Sequence, residues 1–463
     1  MKAGITEQIA DFVAGARQEE IPAGVVETAK EHLLDGLANI LGGAAEEASR
    51  KIRAYLLRLG GKREATILGT RLKAPHQYAA LANGVQGHVL DYDDAQLSTS
   101  KKHSFGQLTH PTVPVLAASL AMGEKAGSPG KELLAAYIVG VEVSCRIADA
   151  VDPGHYMNGF HPTGTINVFG ATAACCRLLH LDRRRIRWAL GIAGSLAAGV
   201  RANRGTMTKS LNAGRAAENG VVAATLARDG FTAAANILEA PMGYLSAAGQ
   251  NRLDHGHLSL GEPYFFASPG VALKLYPCAV VLHAALDCLL ELVKEHGIRA
   301  EDVQKVRVGM SSRSAAPLVY NRPVSGLQGK FSLPFTAAVA ILDRTVGPRQ
   351  FTDRKVRHPR TVALMRRVEL RHDRRLDRLG DEYARAAVEI ELKNGRVFKA
   401  NGTVARGHPT KRPSRNELEE KFRACAAPFL RSGQMKEAVE AVWSLDRLVK
   451  LSGLLSRMIG KEF

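Results

Sequence analysis

Long apolar segments of helical period constrain this fold most strongly, and they dominate the chain up to about residue 260. Their apolar faces are wide and rich in Ala and Gly, a pattern typical of helices that are buried on most sides. One of them begins at Ser128-Pro129, a favourable cap and first-turn pair. We predict further helices near residues 166–180, 184–200, 213–229 and 231–238. The sequence therefore predicts a mainly α protein with a large all-helical domain.

The periodicity changes after about residue 270. Residues 303–309 alternate between apolar and polar like a strand, and so do residues 388–392. Asn394-Gly395 follows, the pair that a two-residue type I′ hairpin turn demands. We therefore predict a smaller α+β domain over residues 271–405.

The C-terminal part of the sequence returns to a helical pattern. Ser414 and Glu417 have the spacing of a capping box, and the two closing helices that follow end near Met458. We expect these helices to pack back on the first domain, which then comprises residues 1–270 and 406–463. A chain of 463 residues is also too long for a single core, which favours two domains.

The chain is strongly basic, with a formal net charge of +18 and a pI near 9.8. Such a charge is compatible with nucleic-acid binding, and it also attracts small polyanions such as di- and tricarboxylates. Charge alone does not choose between these partners. The aromatic content of only 6% and the dispersed basic residues favour the small polyanion and leave a nucleic-acid-binding protein as the alternative of a different class.

Several familiar kinds of site lack their sequence signatures. The six cysteines include no C-x-x-C pair, so we expect buried thiols in a reducing compartment and no zinc or iron–sulfur centre. Dinucleotide-binding, phosphate-loop, serine-hydrolase and zinc-protease motifs are also missing. The N-terminus has no signal-like apolar region, and no stretch is uniformly apolar over the about 18 residues of a membrane span. We expect a cytoplasmic protein without membrane contact.

One polar segment, residues 87–116, has the composition of an active-site loop. It opens with Asp91, Asp93 and Asp94 and closes with Thr109-His110-Pro111, where an apolar helix begins. Acidic and imidazole groups that frame a loop anchored in apolar structure are common in active sites. An ordinary surface loop is the alternative interpretation.

Other candidate residues lie where apolar helices begin or end. His161 precedes a Pro-Thr-Gly turn, Lys209 lies between Thr and Ser, and Lys274 precedes a Tyr-Pro turn. Each has a plain structural explanation, namely a capping histidine or a solvated lysine. His283, in the apolar helix after Lys274, is explained as a hydrogen-bonded core histidine.

Six motifs in a fixed order resemble those of the MmgE/PrpD family over nearly the full chain. They are HVLDYDDA at 88–95, THPTVPVL at 109–116, FHPTGT at 160–165, TMTKSLNAGRAAENG at 206–220, KLYPCAVVLH at 274–283 and GLQGKFSLPF at 326–335. This family includes 2-methylcitrate dehydratase, cis-aconitate decarboxylase and an epimerase of iminodisuccinate. The resemblance implies a helical domain with an α+β lid, a homodimer, and no metal or organic cofactor.

The resemblance also implies which residues form the site. The active-site residues of the family's decarboxylase correspond to Asp91, His110, His161, Lys209 and Lys274, and Tyr320 corresponds more loosely to a further site tyrosine. We add Asp93 and His103 as substrate-binding candidates, the latter from a middle section, residues 96–108, that is longer and more basic than the family pattern.

Three positions depart from the family pattern. Ala95 replaces a threonine of the decarboxylase, Asn212 replaces a common histidine, and Ala279 replaces an active-site histidine of the decarboxylase. The loss of this last imidazole argues against decarboxylation of cis-aconitate.

The residue types fit reactions that pass through a carbanion beside a carboxylate. We expect His110 to be the principal acid/base, with Asp91 orienting it, and His161 to be a second acid/base or a substrate ligand. Lys209 and Lys274 are the cations for substrate carboxylates. We predict a lyase that dehydrates a 2-methylcitrate-like hydroxy acid; epimerisation of a diacid and decarboxylation of cis-aconitate are the alternatives.

Overall fold

Two separate apolar cores organise the computed structural model, which describes residues 3–97, 107–151, 153–249, 258–379 and 383–460. The first core is built from residues between Ile5 and Leu273, and Leu418 to Met458 from the end of the chain join it. The second core contains residues between Tyr276 and Leu392. The predicted mainly α architecture with a small sheet is confirmed, and we propose that the two cores define the two domains.

The first core is formed by helices that bury most of their surface. Their bounds are α1 (Ile5–Gly15), α2 (Ala23–Gly42), α3 (Glu47–Leu59), α4 (His76–Val89), α5 (Thr112–Ala126), α6 (Gly130–Ala150), α7 (Pro153–Met157), α8 (Pro162–Thr165), α9 (Asn167–Leu178), α10 (Arg183–Leu196), α11 (Thr208–Arg228) and α12 (Tyr244–Gly249). Two short antiparallel pairs accompany them: β1 (Ala65–Thr66) with β2 (Lys73–Ala74), and β3 (Gln96–Leu97) with β4 (Gln107–Thr109).

The helix predicted at residues 231–238 is wrong. Gly230 ends the preceding helix with a φ of 93°, and the segment after it consists of extended residues and turns. Its backbone groups bind other elements: Leu238 N–H donates to Thr6 Oγ1 at 3.1 Å, and Ala235 O accepts from Arg187 Nε at 2.9 Å. These tertiary hydrogen bonds replace the internal bonds of a helix.

The second core lies between a four-stranded sheet and its helices. The bounds are β5 (Val303–Met310), β6 (Val368–His372), β7 (Ala386–Leu392) and β8 (Val397–Gly402), with α13 (His283–Glu295), α14 (Ser312–Ala315), α15 (Gly326–Gly329), α16 (Leu333–Asp343), α17 (Asp353–Arg357), α18 (Pro359–Met365) and α19 (Arg374–Arg378). The strand order is β6-β5-β7-β8; β5 is parallel to β6, and the other neighbours are antiparallel. Helices α20 (Arg415–Ala426), α21 (Ser432–Trp443) and α22 (Ser452–Leu455) complete the chain, and the capping box of Ser414 and Glu417 is confirmed.

The predicted hairpin between β7 and β8 is confirmed, but its turn type differs. A type I′ turn needs positive φ at both central residues. Gly395 has a φ of 83°, whereas Asn394 is not in the positive-φ region. Gly395 N–H donates to Leu392 O at 3.0 Å, which closes a type I turn followed by a left-handed glycine. The loop therefore has three residues, with the glycine in the bulge position.

Helices α4 and α11 approach each other closely and bring two functional segments together. A Cβ on Gly84 of α4 would lie 2.7 Å from the Cα of Gly214 in α11. Because only glycines allow this approach, the C-terminal turn of α4 lies beside the first turn of α11. His88 and Lys209 lie in these turns.

Two further features concern the thiols and the length of the helices. All six cysteines are free and buried, as predicted. Among the helices of the described ranges, none combines the length and the apolar composition that a membrane span requires.

Candidate active site

The site begins at the turn that follows α4. Asp91 has a φ of 53°, in the left-handed region that aspartate tolerates better than most residues. Its N–H donates to His88 O at 3.1 Å and closes the turn. The three aspartates of this turn are all buried, and each of them binds a different partner.

The Asp91 carboxylate lies between two lysines. Its Oδ1 accepts from Lys274 Nζ at 2.7 Å and lies 3.4 Å from Lys209 Nζ, while the buried Oδ2 has no hydrogen-bond partner among the described residues. Burial by itself raises the pKa of Asp91, but the charges of Lys209 and Lys274 outweigh it and hold this pKa well below its usual range. Asp91 is therefore an ionised counter-ion of the lysines and a weak base.

The Asp93 carboxylate binds His88, a residue that the sequence interpretation did not select. Asp93 Oδ2 lies 2.7 Å from His88 Nδ1, and His88 Nε2 lies 2.7 Å from Lys209 Nζ. Burial, followed by the charge of Lys209, lowers the pKa of His88 well below its usual value, so the ring is neutral. Its neighbours assign the proton to Nδ1.

Asp94 anchors the start of helix α5. Its Oδ1 accepts from Thr112 N–H at 3.2 Å, and its Oδ2 accepts from Thr112 Oγ1 at 2.5 Å and lies 2.8 Å from His32 Nδ1. A carboxylate that accepts from the first free N–H groups stabilises a helix N-terminus. The aspartate therefore fixes where the helix that follows His110 begins.

His110 rests as a neutral imidazole with a defined tautomer. Its Nδ1 lies 2.6 Å from the backbone oxygen of Asp94 and must carry the proton, because a carbonyl oxygen can only accept. Its Nε2 is then unprotonated and lies 3.8 Å from Asp91 Oδ1. Burial is the main cause that lowers the pKa of His110 well below its usual value. This geometry suits a base.

His161 rests with the opposite tautomer. Asn212 Nδ2 donates to His161 Nδ1 at 3.1 Å, which assigns the ring proton to Nε2. Burial, then the charge of Lys209, lowers the pKa of His161 well below its usual value. Its ring centroid lies 5.7 Å from that of His88. The neutral N–H donates a hydrogen bond more readily than it releases a proton.

Three of these groups, His88, Asp91 and Lys209, border a cavity between the first core and α15, whereas His110 and His161 are not among the described residues that line it. The cavity is lined by His88, Val89, Asp91, Gly205, Thr206, Lys209, Ser210, Leu327, Lys330 and Phe331. Lys330 is the second residue that sequence reasoning missed, although it lies in the GLQGKFSLPF motif. Its Nζ donates to Leu90 O at 2.7 Å, and burial lowers the pKa of Lys330 to about 8. The cavity therefore has two lysine side chains from different parts of the chain.

The other predicted residues lie around this cavity or outside the described ranges. Lys274 is fully buried and binds both the backbone oxygen and the side chain of Asp91, so it supports that carboxylate from behind. Tyr320 donates to Arg204 O at 2.8 Å and lies against Gly205 of the cavity wall. Asp93 contacts His88 and is not part of the cavity lining. His103 lies outside the described residues.

The three positions that depart from the family pattern have clear surroundings. Asn212 holds His161, as described above. Ala95 is buried and pairs with Ala272 through two backbone hydrogen bonds. Ala279 is buried, and its backbone N–H donates to the backbone oxygen of the cavity residue Lys330 at 3.0 Å.

His88, Asp93 and His110 lie close enough to one another to bind a metal ion. Their potential ligand atoms are within 4.8 Å of each other. However, the Nδ1 protons of both histidines are donated to oxygen atoms, and His88 Nε2 faces Lys209. An added cation would also meet the positive charges of nearby lysines. The group fits a hydrogen-bonded acid–base cluster better than a metal centre.

Comparisons with known proteins identify the family of this chain. The model of the MmgE/PrpD N-terminal domain matches residues 7–254, and that of the MmgE/PrpD C-terminal domain matches residues 276–445. Cis-aconitate decarboxylase from Homo sapiens is 28% identical over 472 residues, covering 99% of this chain and 95% of the relative. The enzymes of that name from Mus musculus and Aspergillus terreus are each 27% identical, covering 99% and 98% of this chain and 94% and 96% of the relatives. The chain belongs to the MmgE/PrpD family.

Proposed function

We propose that this protein is a lyase that acts by acid–base catalysis on a small tricarboxylate, and that its reaction is decarboxylation of cis-aconitate. The observation that carries the proposal is the cavity in which Lys209 and Lys330 lie beside the ionised Asp91. The similarity to cis-aconitate decarboxylases favours this reaction over the dehydration that the sequence interpretation put first.

The lysines provide binding sites for a polyanion. An ammonium group is a compact charge with three donors, and it binds carboxylates well where little water competes. Lys209 and Lys330 line the cavity, whereas Lys274 is fully buried and already bonded to Asp91. We assign two substrate carboxylates to Lys209 and Lys330, and we assign Lys274 to holding Asp91.

The reaction requires a proton donor at carbon. The bond between one substrate carboxylate and the carbon that carries it breaks, and its electron pair forms a new carbon–carbon double bond. The electron pair of the former double bond moves to the carbon beside a second carboxylate. That carbon takes one proton as CO₂ leaves, and the charge on the second carboxylate is stabilised by a cation. Burial lowers the pKa of Lys209, so its ammonium group releases a proton more readily than an exposed lysine does.

The substitution Lys209→Arg separates binding from proton transfer. Arginine keeps the positive charge but does not release its proton. With cis-aconitate in deuterated water, the wild type is expected to release CO₂ and to place one deuterium on the product carbon. The variant is expected to lose about 10²- to 10⁴-fold in kcat with a small change in KM. Lys125→Arg, a half-exposed lysine on α5 bound to Glu64, is the matched control. Unchanged kcat in Lys209→Arg would refute the assignment, and failure to consume cis-aconitate would refute the reaction.

Dehydration of a hydroxy-tricarboxylate is the second candidate. It begins with removal of a proton from carbon, and His110 rests with an unprotonated Nε2 near Asp91. The alanine at position 279 also supports it. His110→Asn keeps a donor for the carbonyl of Asp94 and removes Nε2. It is expected to reduce dehydration by about 10²- to 10⁴-fold, while decarboxylation keeps its acid, Lys209. Product analysis for CO₂ and for an unsaturated tricarboxylate distinguishes the two reactions.

A further inference from the structure

We infer that Asp93 and His88 are positioning residues that aim the Lys209 ammonium group into the cavity. The inference rests on the proposed function and extends it to two residues that do not act on the substrate themselves. His88 Nδ1 lies 2.7 Å from Asp93 Oδ2, and His88 Nε2 lies 2.7 Å from Lys209 Nζ. The side chains of His88 and Asp93 are completely buried.

The Asp93 carboxylate fixes the direction of both hydrogen bonds in the series Asp93–His88–Lys209. An ionised carboxylate can only accept, so Asp93 requires the His88 proton on Nδ1. His88 Nε2 then has a lone pair and must accept from Lys209. A lysine side chain has three donors and free rotation about its last bond. The imidazole therefore selects one orientation of the ammonium group from several.

A neutral acceptor suits this purpose better than a second carboxylate. A carboxylate at 2.7 Å from Lys209 would hold the ammonium group and also offset its charge. His88 orients the group and leaves that charge available for a substrate anion. The ion pair of Lys209 with Asp91 is longer, at 3.4 Å, and Asp91 Oδ1 also binds Lys274 at 2.7 Å. Asp91 thus stabilises the charge of Lys209, and His88 sets its direction.

The position of the three residues in the fold supports this assignment. His88 lies in the last turn of α4 and Lys209 in the first turn of α11, and Gly84 and Gly214 hold these helices in close contact. Asp93 lies beyond the turn made by Asp91, on the side of His88 away from Lys209. The acceptor therefore lies on rigid helical structure, as accurate positioning of a catalytic group requires.

Two substitutions of His88 test the positioning. In His88→Gln the side-chain oxygen reaches the place of Nε2 and accepts from Lys209, whereas in His88→Asn the amide reaches only the place of Nδ1 and binds Asp93. His88→Asn is expected to lower kcat for cis-aconitate by about 10- to 100-fold with a smaller change in KM, because small misplacements of a reacting group have effects of this size. His88→Gln is expected to retain at least about a tenth of the wild-type kcat on the same grounds. Equal kcat values in the two variants would overturn the inference.

A measurement on the resting protein separates this inference from the proposed function. ¹⁵N spectra of protein labelled at histidine report the tautomer of each ring, and His88→Gln identifies the signals of His88 by their loss. We expect the Nδ1–H tautomer in the wild type. If His88 carries its proton on Nε2, the inference is wrong whatever the activity is. If the tautomer is as expected but no tricarboxylate is consumed, the hydrogen-bond series stands and the proposed function is wrong.

Discussion

Replacing Asp91 by Asn tests whether this carboxylate keeps the neighbouring lysines protonated. Asp91 Oδ1 lies 2.7 Å from Lys274 Nζ and 3.4 Å from Lys209 Nζ. At an effective dielectric constant of about 20, two unit charges at the longer distance attract each other by about 5 kcal/mol. Solvent screening of the partly exposed Lys209 reduces this value, and we expect about 3 kcal/mol. Since one pKa unit corresponds to about 1.4 kcal/mol, the pKa of Lys209 should fall by about two further units.

The assay is the pH dependence of kcat/KM with cis-aconitate. A lysine with a lowered pKa loses its charge at lower pH, and the charge of Asp91 raises the pKa of both Lys209 and Lys330. The alkaline limb of the profile should therefore move toward acid in Asp91→Asn. Activity near neutral pH should fall, and part of it should return below that pH. The substitution also removes the partner of a buried charge, so the free energy of unfolding should fall by about 3–5 kcal/mol, measured by denaturant titration.

Glu142→Gln provides the matched control. Glu142 is a buried carboxylate of α6 that binds Arg146 at 2.8 Å and the N–H of Gly261 at 3.0 Å, and it contacts none of the site residues described above. Its substitution should lower stability without moving the pH profile. Asp91 does not keep the lysines protonated if Asp91→Asn keeps the alkaline limb of the wild type, or if Glu142→Gln moves that limb equally.

Three further predictions concern the surroundings of the site. Burial lowers the pKa of Lys330 to about 8, so this lysine is charged below that pH and neutral above it. The value of kcat/KM should therefore fall as the pH rises through about 8, and Lys330→Met should abolish this fall in a pH profile. Lys421 Nζ lies 2.5 Å from Asp35 and donates to the backbone oxygens of Tyr92 and Lys274. Lys421→Met should therefore lower the free energy of unfolding by about 3–5 kcal/mol in a denaturant titration, and adding Asp35→Asn should restore part of it. Ala279→His restores the imidazole of the family pattern next to Lys330, so the ratio of CO₂ to dehydration product should rise; an unchanged ratio would show that position 279 does not select the reaction.

The sequence alone determined the elements whose cause is local. Apolar residues at helical spacing predict buried helices because one face must lie against a core, and α6 and α11 follow this rule. The alternation of apolar and polar residues around 303–309 and 388–392 predicted β5 and β7, because successive side chains of a strand point to opposite faces of the sheet. The ordered motifs led to the family, and through it to candidates that the fold brings together in one buried cluster.

The partners of the three aspartates were decided only by the tertiary structure. Asp91, Asp93 and Asp94 are the same residue type within four positions, so nothing local distinguishes them. The chain makes a left-handed turn at Asp91, and the three side chains point to different partners. Asp91 binds lysines from distant segments, Asp93 binds His88, and Asp94 binds the start of α5.

His88 and Lys330 were missed for a related reason. A histidine near the end of an apolar helix and a lysine in a Gly-rich turn have ordinary explanations until their neighbours are known. Lys209 is 121 positions from His88, and Leu90, which accepts from Lys330, is 240 positions away. Contacts between residues so far apart in the sequence depend on how whole helices pack. A local residue pattern does not reveal which distant side chains this packing brings together.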